Sequence, residues 1–145
     1  MVLNDQIFPS HSKIPRPPVS LLEFAGKLKA AQDGLKTSSV DLIVKLDGIR
    51  YYGISGIKER IRIASKLGVE KILIGHLETN SITELKNRIS LADIGLAQDN
   101  ELISRSELEQ AEPAFIIATA ASLICQKKIG TELVSRLEEI QYEKI

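Results

Sequence analysis

Between residues 40 and 74 the hydrophobic period changes twice, from two to nearly four and back to a short apolar run. That change limits the fold more than any other feature of the chain. In Val40-Asp41-Leu42-Ile43-Val44-Lys45-Leu46, the residues Leu42, Val44 and Leu46 alternate with Asp41, Ile43 and Lys45, the pattern of a strand with one face on a core. Asp47-Gly48 follows, the strongest short-range hairpin signal in the sequence, and Ile49-Arg50-Tyr51-Tyr52 can return as the partner strand. Two adjacent tyrosines in a strand face opposite ways, one inward and one to solvent. Ile57, Ile61, Ala64 and Leu67 then recur at helical spacing, Gly68 closes the helix, and Val69 to Ile74 reads as a buried strand. A strand, helix, strand unit of this kind predicts an α/β domain.

The flanks extend the pattern. Residues 1–18 hold Pro9, Pro15, Pro17 and Pro18, and proline at that density predicts an extended surface arm. Ser20-Leu21-Leu22-Glu23 is a capping box, starting a helix to about Asp33 with Leu21, Phe24, Ala25 and Leu28 on one face. Ser81-Ile82-Thr83-Glu84 is a second such box, and a brief strand is expected at Ile94 to Ala97. Ser104-Arg105-Ser106-Glu107 opens a helical turn. Glu112-Pro113 is expected to start an apolar helix ending near Lys128, with Gly130 as its stop. Thr131 then caps an amphipathic helix with Leu133, Leu137 and Ile140 as its stripe.

Composition narrows the functional classes. With 145 residues, 43% hydrophobic and 26% charged, the chain can bury one core and resembles ordinary globular domains. Lys plus Arg and Asp plus Glu number 19 each, so there is no basic surplus for neutralising phosphates. Three Tyr, three Phe and no Trp make a base-stacking platform a poor expectation. The longest apolar stretch, Ala114 to Cys125, falls short of the roughly 20 residues that span a bilayer. The opening residues lack the pattern of a signal peptide, and the lone Cys125 has no disulfide partner within the chain, so a cytoplasmic location is expected.

Candidate chemistry is sparse in the linear sequence. His11, His76 and Cys125 are scattered, and no metal and no cofactor is expected from them. Cys125 reads as a small core residue, and Gly48, Gly53 and Gly56 match no phosphate-binding spacing. His76 and Glu78 follow the strand ending Ile74-Gly75, which places them at the carboxyl edge of a sheet, where open α/β folds collect ligands.

The stretch Leu46-Asp47-Gly48-Ile49-Arg50-Tyr51-Tyr52-Gly53-Ile54-Ser55-Gly56-Ile57-Lys58-Glu59-Arg60, continued to Ile74, resembles part of the Lon-type protease domain and its relative at the end of a bacterial recombination-repair ATPase family. That resemblance implies a hairpin, helix and strand, with Lys58 as the catalytic base, although no G-x-S-A-G nucleophile motif precedes it. A second stretch, Glu109-Gln110-Ala111-Glu112-Pro113-Ala114-Phe115-Ile116-Ile117-Ala118, together with the strands and helix before it, looks like the last subdomain of actin-like type IV pilus assembly ATPases.

These observations predict a small mixed sheet of about three to four strands flanked by helices, with a helical pair at the end. Residues 1–18 form an arm and 19–145 one α/β domain. The reading leans away from an enzyme and toward a protein-binding, assembly or regulatory module, acting on a protein partner or on a second copy. Leu133, Leu137 and Ile140 are its candidate contact face, and His76 and Glu78 its candidate binding edge. The competing readings are a divergent Lon-like hydrolase using Lys58 with Ser20 or Ser55, and a nucleotide-responsive regulator.

Overall fold

The computed structural model describes residues 1–7, 16–99, 102–118 and 128–135. Strands and helices alternate along it as β1 (Val2–Asn4), α1 (Leu21–Leu35), β2 (Ile43–Leu46), α2 (Ile49–Lys66), β3 (Lys71–Ile74), α3 (Thr79–Arg88), β4 (Ile94–Ala97), α4 (Arg105–Gln110) and β5 (Phe115–Ile117). Residues 128–135 are also helical. The strands pair in parallel, and their order in space is their order in sequence, β1-β2-β3-β4-β5. The expected α/β class with a helix-flanked sheet is observed, with five strands in place of three or four.

Sequential order decides where the helices lie. Crossovers between neighbouring parallel strands are almost always right-handed, so strands added in one direction place each connecting helix on the same face. The core agrees: Val44, Leu46, Ile72, Ile74, Ile94 and Leu96 from the sheet join Phe24 and Leu28 of α1, Ile57 and Ala64 of α2, Ile82 and Leu85 of α3 and Leu108 of α4 in one cluster. Truncating a fully buried member such as Leu28 or Leu85 to alanine costs about 2–5 kcal/mol. Side chains alternate across a strand, so the row Asn4, Lys45, Leu73, Gly95 and Phe115, which are register partners from β1 to β5, belongs to the opposite face. This is the winding of a barrel wall, not of a doubly wound sheet.

Four local expectations are corrected. Asp47-Gly48 does not turn the chain back: Gly48 is the N-cap of α2, and Ile49 and Ile54 bury against the core from within that helix. A hairpin needs a free edge, and β2 has none, because β1 and β3 occupy both sides. The first residues of the proline-rich arm are β1, recruited by Val2 and Leu3 onto that edge. The helix expected from Glu112-Pro113 begins instead as β5, since Ile116 and Ile117 serve a strand as readily as a helix. The helical stretch 128–135 runs through Gly130 and Thr131, expected as its stop and cap. Cys125 and the remainder of the expected C-terminal pair lie outside the described residues.

Capping fared unevenly. The boxes at Ser20 with Glu23 and at Ser104 with Glu107 make both reciprocal bonds. At Ser81 the box is not used, because α3 starts at Thr79 behind Glu78.

Gly95 gives a direct check on the β4–β5 pairing. The Phe115 ring lies where a side chain on Gly95 would stand. Gly95→Ala is expected to cost about 1–3 kcal/mol by overpacking. Combined with Phe115→Leu, which makes room, it should cost clearly less than the sum of the single changes in denaturant unfolding. Strict additivity would place Phe115 elsewhere.

Candidate functional site

Parallel strands wound in one direction present their carboxyl ends along one edge, and the residues leaving β1 to β4 there are polar. Asp5 leaves β1, Asp47 leaves β2, His76 leaves β3 after Gly75, and Asp99 leaves β4 after Gln98. Lys45, one residue inside the end of β2, sends its ammonium among them. Its Nζ lies 2.9 Å from Asp47 Oδ1 and 3.2 Å from Asp99 Oδ2. The Asp99 carboxylate also accepts from the His76 amide at 2.9 Å, and His76 Nε2 stands 4.0 Å from Asp47 Oδ1. The four side chains are 3 to 17% exposed, so they meet one another more than water.

Backbone choices make this convergence possible. Gly75 is packed against the cluster so closely that a methyl group there would overlap the Asp47 carboxylate and come within 2.8 Å of Asp99 Oδ2 and Lys45 Cε. His76 has φ of 49°, a left-handed conformation that costs a non-glycine residue of order 1–3 kcal/mol and is found preferentially at functional sites. Gln98 fixes the end of β4 by donating its amide to Ile117 O and its side-chain amide to Ile103 O.

Charge and burial set the protonation. Two carboxylates face one ammonium, an excess of one acidic group before His76 is counted. Burial pushes the Asp47 carboxyl above its ordinary pKa, against the pull of Lys45. Burial alone would lower Lys45, but the Asp47 and Asp99 carboxylates outweigh it and hold Lys45 above the ordinary lysine value. Asp99 Oδ1 is buried without a hydrogen-bond partner among the described residues, which leaves acceptor capacity inside the cluster. Asp47, His76 and Asp99 offer ligand-type atoms within 4.8 Å of one another, yet the Lys45 ammonium already lies among them, and a metal would have to displace it. A cavity of about 310 Å³ at the start of α3 is lined by Arg50, Leu77, Glu78, Thr79 and Leu102 among others, and by none of the four cluster residues.

A second polar group underlies the first. Asp5 is fully buried. Its Oδ1 accepts from the Asp47 amide at 2.9 Å, and its Oδ2 meets Arg60 Nε at 3.2 Å and the Tyr52 hydroxyl. Arg60 donates to Val19 O at 2.7 Å and stacks 4.1 Å from the Tyr52 ring centroid. Gly53, at φ of 60°, breaks α2 after its first turn, and the Tyr52 ring lies against Gly48 and Gly56. Burial, reinforced by the Asp5 charge, raises the Tyr52 pKa far above its ordinary value, so the hydroxyl stays protonated and donates.

Of the residues expected from sequence, His76 belongs to the cluster. Glu78 is exposed at the start of α3 and pairs with Arg50 at 2.8 Å. Lys58 and Ser55 are exposed on the same helix, and Ser20 is committed to its capping box, so no Ser-Lys pair forms. Leu133 is exposed in 128–135, while Leu137 and Ile140 lie outside the described residues. Lys45, Asp47, Asp99, Asp5 and Arg60 were not anticipated. Arg60 left one signal, since it falls on the apolar face of α2 between Ile57 and Ala64.

No protein-family model and no curated protein matches the chain. Its fold is similar to the solved structure of a "putative phosphonomutase" from Burkholderia cenocepacia J2315, with a TM-score of 0.64 and 18% identity over 93% of this chain. The match covers 56% of that protein, so the chain spans little more than half its length. This likeness overturns the resemblances to Lon-type and actin-like pilus assembly proteins: the hairpin the first implies is replaced by the start of α2, and Phe115–Ile117 form β5. The reading as a non-enzymatic assembly or regulatory module falls with them. It assumed that no reactive side chains converge, and here four do. Among the described residues no helix is long and apolar enough to cross a membrane.

The raised pKa of Asp47 fixes a sign. A carboxyl whose pKa is higher folded than unfolded contributes fully below its unfolded value, near 3.8, and penalises the fold as pH rises through the higher folded value. Asp47→Asn removes that penalty. At pH 8 the variant should melt at or above the wild type, and its advantage should shrink as pH falls toward the carboxylate range. A variant less stable than wild type at pH 8, with the gap closing on acidification, would contradict the buried ionised Asp47.

Proposed function

We propose that the chain carries an enzyme-type site at the carboxyl edge of its sheet, working by acid–base chemistry on a small organic oxyacid such as a phosphonate or carboxylate. The observation that supports this reading is the convergence of Lys45, Asp47, His76 and Asp99 from three successive strand ends, where parallel α/β sheets place their active sites. Titratable groups pushed from their ordinary pKa values in a shielded edge are the usual mark of such a site. The fold neighbour's description as a phosphonomutase favours an acid of phosphorus over other small molecules.

Each side chain has a distinct task in this reading. Lys45 meets the acid group of the substrate. Asp47, whose raised pKa brings it nearer neutral pH, takes or gives a proton, and His76 is a second proton carrier 4.0 Å away. Asp99 holds Lys45 and the His76 amide in place. With its excess acidic group the cluster repels an anion until one proton is added, so binding is linked to proton uptake. Affinity for an anionic acid therefore rises as pH falls through the raised Asp47 value.

Thermal shift against a panel of small phosphonates and carboxylates tests the proposal. A compound at 100 times its dissociation constant adds about 2.7 kcal/mol to stability. We expect at least one member to stabilise the protein, more below the raised Asp47 value than above it, and Lys45→Met to abolish the shift. Stabilisation by no member, or an equal shift in Lys45→Met, would overturn the reading.

A further inference from the structure

We propose that Asp5 is a positioning residue for Asp47, with Arg60 and Tyr52 serving to hold Asp5. The proposal rests on the reading of the carboxyl edge as a site, and deepens it by assigning what keeps that site in register.

Asp5 grips both flanks of Leu46. Its own amide donates to Lys45 O at 3.2 Å, and its side-chain Oδ1 accepts from the Asp47 amide at 2.9 Å. The residues held in this way are the two that carry the ammonium and the carboxylate of the cluster. The next amide is held too, since Gly48 N donates to the Tyr52 hydroxyl at 3.2 Å. That hydroxyl donates in turn to Asp5 Oδ2. The peptide leaving β2 is thereby tied at two successive amides to one buried pair.

The arrangement is more specific than stability alone asks for. Asp5 and Arg60 are 0 and 5% exposed at their side chains, and a buried ion pair is commonly matched or surpassed in stability by apolar residues of similar volume. Apolar residues could fill the space but could not accept from the Asp47 amide. Arg60 and Tyr52 satisfy Oδ2 and leave Oδ1 for that amide. Arg60 also fixes its own place, by its bond to Val19 O and its stacking on Tyr52. The charged and titratable groups around Asp47 are Lys45 of β2, His76 after β3, Asp99 after β4 and Asp5 after β1, with Arg60 and Tyr52 behind Asp5 from α2.

The test reads the Asp47 carboxyl directly, by carbon-13 NMR titration of its Cγ, assigned with Asp47→Asn. Tyr52→Phe keeps the Asp5–Arg60 pair but removes the hydroxyl, and Asp5→Asn keeps the shape but removes the charge. Ile82→Val, on the buried face of α3, controls for lost stability alone. We expect Tyr52→Phe to move the Asp47 midpoint by roughly half a pH unit or more toward the ordinary value, and Ile82→Val to leave it in place. Asp5→Asn should move it further if it folds, and Tyr52→Phe decides the matter if it does not. An Asp47 midpoint unchanged in Tyr52→Phe, with stability reduced, would overturn the proposal and leave Asp5 a purely structural residue. No ligand enters the measurement. A moved midpoint with no acid bound defeats the proposed function alone, and a bound acid with an unmoved midpoint defeats the positioning role alone.

Discussion

Sequential parallel pairing is the constraint from which the rest of the structure follows. Once β1 to β5 are laid side by side in sequence order, each crossover places its helix on the same face, and each strand delivers its last residue to the same edge. One face is thereby committed to the hydrophobic core, and the polar residues leaving the strands are brought together. A reordering of two strands would separate Asp47, His76 and Asp99 without changing a residue. The chemistry at the edge is a consequence of winding.

Bringing charges together under cover is costly, and the structure shows how the cost is contained. Asp47 and Asp99 share the Lys45 ammonium, while Asp5, buried beneath, is matched by Arg60 and Tyr52. The remaining imbalance is one acidic group in a shielded place, with His76 held in a left-handed conformation beside it. Features of this kind lower stability and are retained where binding or catalysis gains from them. The opposite arrangement, a fully neutral apolar edge, would have been easier to fold.

Much of the fold was legible in local pattern. The strand, helix, strand unit from Ile43 to Ile74 is there, Gly68 closes α2 at a φ of 76°, and of the two capping boxes read from the sequence the one at Ser20 is formed. Residues whose meaning depends on a neighbouring strand were misread. Asp47-Gly48 has the local chemistry of a hairpin turn, and only the presence of β1 and β3 on both sides of β2 forbids it. Phe115 to Ile117 suits helix or strand, and the free side of β4 decides. The site was less legible still. His76 is found because it follows an obvious strand, whereas Asp5 sits in an apparent arm, Asp99 lies beyond a brief strand, and Arg60 is one of several charged residues on its helix, its place among apolar positions the only sign. Their spacings, 42 residues from Asp5 to Asp47 and 23 from His76 to Asp99, correspond to no local motif.

The central claim is that Lys45 sits between two carboxylates in a place shielded from water. A nitrogen-15 NMR titration of the Lys45 ammonium, in the wild type and in the paired variant Asp47→Asn with Asp99→Asn, tests it most directly. The account predicts a midpoint above the ordinary 10.5 in the wild type, and one below it in the paired variant, where burial acts unopposed. A midpoint at the ordinary value in both proteins would mean that Lys45 is solvated and unpaired, and would contradict the convergence on which the account stands.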